Sequence, residues 1–108
     1  MLDENWKIII SEGIINHKDK FVNAVAHLLS GEEFTPLGLA KKVNCNYCEA
    51  VAILDLLNEA GLTNHCGFFW GEDEESSKPI KLITCNAEKA EIYLYCWDDF
   101  KKLKKITN

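Results

Sequence analysis

Residues 34–63 constrain the fold more than any other stretch: Phe34-Thr-Pro-Leu-Gly-Leu-Ala-Lys-Lys-Val-Asn-Cys-Asn-Tyr-Cys-Glu-Ala-Val-Ala-Ile-Leu-Asp-Leu-Leu-Asn-Glu-Ala-Gly61-Leu-Thr63. Thr35 offers a capping hydroxyl, and Pro36 suits the first position of a helix. Leu39, Ala40 and Val43 then mark the buried side of a short helix. Asn44-Cys45-Asn46 reads as a turn. A longer helix follows from about Tyr47 to Ala60, with Ala50, Ile53, Leu54 and Leu57 at helical spacing and Gly61 as its stop.

Other segments read less uniquely. Residues 19–30 predict an amphipathic helix with Phe21, Val25, Leu28 and Leu29 on one stripe and Gly31 beyond its end. Trp6 to Ile15 predicts a leading helix ending near Gly13, with a strand as the alternative because Ile8, Ile9 and Ile10 are consecutive. Cys66 to Gly71 and Ile80 to Thr84 read as two strands around the polar tip Glu72-Asp-Glu-Glu-Ser-Ser-Lys-Pro79. Asn86 is placed to cap a last helix reaching Lys105, with Ala90, Tyr93, Leu94, Trp97 and Phe100 as its apolar positions. A third strand over residues 91–97 is the alternative. No repeat or linker divides the chain, so the expectation is one domain over residues 1–108.

Helix, helix, turn, helix, hairpin and helix in that order resemble the winged helix-turn-helix superfamily. Asn46-Tyr47-x-x-Ala50, with Ile53-Leu54-Asp55-x-Leu57-x-x-x-Gly61-Leu62, is similar to the turn and recognition helix in the gamma domain of FtsK-type DNA translocases. Leu82-Ile-Thr84 is similar to the wing exit of MarR- and PadR-type regulators. The resemblance implies an α+β fold. It comprises a helix-turn-helix at about 35–61, a wing at about 64–84, a C-terminal helix at about 86–105 and a further helix at the N-terminus. It also implies DNA contact early in the recognition helix, where this chain has Cys48, Glu49 and Ala52. It makes a homodimer through the end helices a reasonable expectation.

Charge opposes that mode of binding. The chain has 12 lysines, no arginine and 17 carboxylates, for a net charge of −5. Non-specific DNA affinity comes largely from neutralising phosphates. The longer helix instead carries Glu49, Asp55 and Glu59, and the expected wing tip carries Glu72, Asp73, Glu74 and Glu75 against Lys78. A helix dipole adds only about half a charge at the N-terminus. The sequence therefore favours a protein target, met through Cys48, Glu49, Ala52, Leu56, Glu59 and the acidic tip. The role expected is that of a regulator or inhibitor of a nucleic-acid-handling machine. The alternative is a transcriptional regulator binding DNA through Lys41, Lys42, Lys101, Lys102, Lys104 and Lys105.

Five cysteines, unevenly spaced, do not resemble a secreted disulfide framework. Cys45-x-x-Cys48 has the spacing of half a zinc site. A thiol or zinc sensor is thus a third reading, but without a second paired motif no metal or other cofactor is expected. No nucleophile motif or phosphate-cradling loop is present, so an enzyme is not expected either. The acidic opening Met1-Leu-Asp-Glu-Asn and the lack of a long apolar run predict an intracellular protein with no membrane partner.

Overall fold

The structure is a computed structural model, and it describes residues 3–33, 35–63 and 86–107. Five helices make up the described part: α1 (Trp6–His17), α2 (Asp19–Leu29), α3 (Pro36–Val43), α4 (Tyr47–Glu59) and α5 (Asn86–Thr107). Among the described residues there is no β-sheet, so the expected α+β winged class is corrected to a helical one. The expected wing, residues 64–84 with Glu72, Asp73, Glu74 and Glu75, lies outside the described residues. So do Cys66 and Cys85.

The expected pair of helices is present, and local chemistry sets its limits. Thr35 Oγ1 accepts a hydrogen bond from the Gly38 amide at 3.1 Å, and Pro36 opens α3. Asn44 ends α3 in the left-handed region at φ 59°, which asparagine tolerates better than most residues. Two residues later Asn46 Oδ1 accepts the Glu49 amide at 2.8 Å and starts α4. Gly61, at φ 84°, follows the end of α4.

α1 runs past Gly13 to His17, so residues 6–17 are helix rather than strand. It buries Trp6, Ile9, Ile10, Gly13 and Ile14 and leaves Ile8 and Ile15 exposed. Lys18 alone separates α1 from α2, with φ at 56°. The chain reverses there, and the two helices pack closely where the Phe21 ring lies beside Gly13.

α1 is the centre of the assembly. It packs on α4, α5 and α2, while α3 packs on α4 and α2. One core joins Ile10, Ile14, Phe21, Leu28, Leu39, Ile53, Leu54, Leu57 and Ile92. Residues 91–97 are helix, which excludes the third strand. The expected apolar face of α5 is also corrected. Ile92, Cys96 and Phe100 are buried, while Ala90, Tyr93, Leu94 and Trp97 point outward. Tyr95 fixes α5 against α1: its ring meets Trp6 edge-on at 5.4 Å, and its hydroxyl lies 2.8 Å from Ser11 Oγ.

Candidate interaction faces

α4 turns its apolar side to α1 and α3, so its solvent side is decided by helical spacing. Ala50, Ile53, Leu54 and Leu57 are buried. Cys48, Asp55 and Glu59 are exposed, about one turn or two apart on the outer face. Val51, Ala52 and Leu56 are half-buried between the two sides, and Leu56 packs against the core. Of the residues expected to meet a partner, Cys48 and Glu59 are thus outward, while Ala52 and Leu56 sit at the margins.

Glu49 differs from the expectation most. It is half-buried, and its carboxylate is spoken for within the chain. His17 Nδ1 lies 3.0 Å from Oε2, and Lys20 Nζ donates to Oε1 at 3.2 Å. The negative charge at the start of α4 is therefore offset by a lysine 29 residues earlier in sequence. The sequence does show Asn-x-x-Glu at 46–49, a spacing typical of a helix start. Here the asparagine half caps α4, and the glutamate turns to the α1–α2 junction.

This contact should be visible in the acid limb of stability. The hydrogen bond from His17 holds the Glu49 carboxyl below the usual 4.5, and the Lys20 bond adds to this against the opposing effect of burial. A lowered folded-state value means the stabilisation is complete above the ordinary glutamate value. It is lost as pH falls through the lowered one. Glu49→Gln is expected to cost about 1 kcal/mol at neutral pH, the figure being kept small by solvent screening. The cost should shrink progressively in urea unfolding curves as pH is taken below 4.5. A constant difference from pH 7 to pH 3 would show that the carboxylate charge contributes nothing.

The lysines of the DNA alternative fall into two groups. Lys41 and Lys42 are exposed on the last turn of α3, and Lys42 pairs with Glu32 at 3.2 Å. Hydrogen bonding to His27, with a contribution from Lys42, holds the Glu32 carboxyl below its usual value. Lys101 and Lys102 are exposed on α5, and Lys104 and Lys105 belong to its last turns. α2 lies between these two helices, packing against both.

Cys45 and Cys48 carry free thiols, the first half-buried in the turn and the second exposed on α4. Burial, then the Glu49 charge, raises the Cys45 thiol. Cys96 is buried under α2 and pushed up to about 12, by desolvation and then by Asp99. Among the described residues no three His, Cys, Asp or Glu side chains gather as a metal site.

A second face was not legible from charge. Val22, Val25, Ala26 and Leu29 of α2, with Tyr93, Cys96 and Trp97 of α5, line a shallow, open apolar groove of about 10 Å³. The outer rings continue along α5, with Tyr93 to Trp97 and Trp97 to Phe100 both edge-on at 6.2 Å. No described helix is long and apolar enough to cross a membrane. The chain matches no family model, no curated protein and no solved structure.

Proposed function

We propose that the protein is a non-enzymatic binding module that acts mainly through protein contacts, as a regulator or inhibitor of a nucleic-acid-handling machine. One observation carries this reading. The exposed line of α4 is Cys48, Asp55 and Glu59, and α4 itself contributes no lysine or arginine. In a helix-turn-helix unit this is the helix that would enter a groove of DNA. A phosphate backbone repels two carboxylates there, and the pairing of Glu49 with Lys20 leaves that charge unchanged. A basic surface on a protein is complementary to the same line.

Asp55→Lys combined with Glu59→Lys tests the reading. Wild-type protein is expected to leave duplex DNA unshifted in gels at low salt, weaker than the ~1–100 µM typical of non-specific binders. The double variant should gain at least about tenfold in duplex affinity and lose the proteins that immobilised wild-type retains from host lysate. A duplex shift by wild-type protein would overturn the proposal if it weakened steeply with salt and on replacing the lysines of α3 and α5. Unchanged protein capture by the double variant would also overturn it.

A further inference from the structure

We propose that the groove between α2 and α5 is a docking site for an acidic amphipathic helix of a partner protein. This surface is separate from the outer line of α4, which packs on α1 and α3. It therefore stands or falls independently of that reading.

Lys89, Tyr93, Trp97 and Lys101 follow one another at intervals of four, which keeps them on one slowly turning line of α5. Tyr93 is 48% exposed and Trp97 38%, and Leu94 beside them is 62% exposed. Lys101 is exposed and Lys89 partly so. A rise of 1.5 Å per residue sets the two lysines about 18 Å apart, with the aromatic pair between them. Glu91 and Asp98 fall beyond Leu94, on the side away from the groove. Across the groove, the exposed residues of α2 from Asn23 to Ser30 are Asn23, Ala26 and Ser30, all uncharged. Carboxylates stand only beyond the two ends of that stretch: Asp19 in the first turn of α2, and Glu32, paired with Lys42 and His27, and Glu33 after its end.

The lining selects the class of ligand. Valine, alanine, leucine and cysteine form the floor, and with a cavity volume of only about 10 Å³ the groove is shallow. It therefore offers an apolar surface for side chains to lie across, not a pocket that encloses one. Exposed tyrosine and tryptophan beside an apolar groove are typical anchors for such contacts. A helix bringing apolar side chains at i, i+4 and i+7 would lay them across the groove and along Tyr93, Leu94 and Trp97.

Charge then selects among occupants. A second copy pairing α5 with α5 about the middle of the line would oppose Lys89 to Lys101, or each lysine to itself. Like charges at both ends disfavour that pairing. A strand of nucleic acid would use the lysines, but it needs open ring faces for its bases. Here Tyr93 and Trp97 engage each other edge-on, and the floor is aliphatic. A helix with carboxylates near its two ends satisfies both lysines and the floor.

The test uses the full chain and two labelled helical peptides of roughly 20 residues, long enough to hold helix. They share a leucine face, and one carries glutamates at both ends while the other carries lysines. Anisotropy titrations should show the glutamate peptide binding about tenfold tighter. Trp97→Ala should weaken it by a similar factor. Lys89→Glu with Lys101→Glu, both at the surface and checked for native circular dichroism, should reverse the preference. Equal affinity for the two peptides would overturn the proposal, as would a preference that survives the charge swap. Oligothymidine bound at the same site and lost with Trp97→Ala would replace the peptide by a nucleic acid strand. Sedimentation showing an α5-dependent dimer would replace it by a second copy.

Discussion

Replacing Gly13 with alanine is expected to destabilise the protein by about 3 kcal/mol, although alanine is the better helix former. Propensity alone would favour alanine by about 1 kcal/mol in a helix interior. Gly13 is nevertheless where α1 comes closest to α2. A Cβ built there stands within 2.6 Å of three atoms of the Phe21 ring. Real carbon contacts are optimal near 3.5–4.0 Å, so the ring would have to move by about 1 Å. Phe21 has nowhere to go: it is fully buried, amid a core that includes Ile10, Ile14 and Leu28. The single residue between the helices, Lys18, gives the chain little slack for them to separate. Overpacking of this kind typically costs 1–3 kcal/mol and occasionally more. The midpoint of thermal unfolding should fall by roughly 10–20 °C. Phe21→Leu in the same chain removes the clashing ring atoms and should recover part of the loss, as expected for side chains in contact. If alanine at 13 raised the midpoint, the close crossing would be wrong.

This crossing also marks the boundary of what could be read from the chain alone. The short helix, turn and longer helix were legible because their signals are local. Thr35 and Pro36 start one helix, Asn44 and Asn46 shape the turn, and Gly61 follows the other. Each acts within four residues of itself. α1 was ambiguous for a physical reason. Apolar residues lie nearly all round it, with Ile9 and Ile10 inside but Ile8 and Ile15 outside, so neither period dominates. Gly13 read as a stop because nothing local revealed the Phe21 ring against it. The charge of Glu49 was legible, but its partners were not, because His17 and Lys20 reach it from 32 and 29 residues away. The groove was hidden for the same reason, being formed by two helices about 70 residues apart in sequence. The α+β class came from the hairpin read over residues 64–84, which lies outside the described residues, and the strand offered as the alternative for 91–97 is helix despite its β-preferring residues.

α5 offers the sharpest single comparison, because its two candidate structures bury different residues. In a strand, Ile92, Leu94 and Cys96 would share one side, since alternate residues face the same way. Ile92 and Leu94 would then be equally costly to truncate. In the helix, Ile92 and Cys96 are one turn apart and buried, and Leu94 lies on the opposite side in solvent. Ile92→Ala removes a fully buried side chain from the contact of α5 with the core and should cost about 3 kcal/mol. Leu94→Ala removes one that is 62% exposed and should change stability by no more than about 0.5 kcal/mol. Urea unfolding of dilute protein without added peptide, followed by tryptophan fluorescence, measures both. A comparable loss for the two variants would put residues 92 and 94 on one face and remove the helix. The predicted inequality would leave Leu94 beside Tyr93 and Trp97 on the outer face. There its truncation should cost nothing in folding and be felt only when another helix is laid across it.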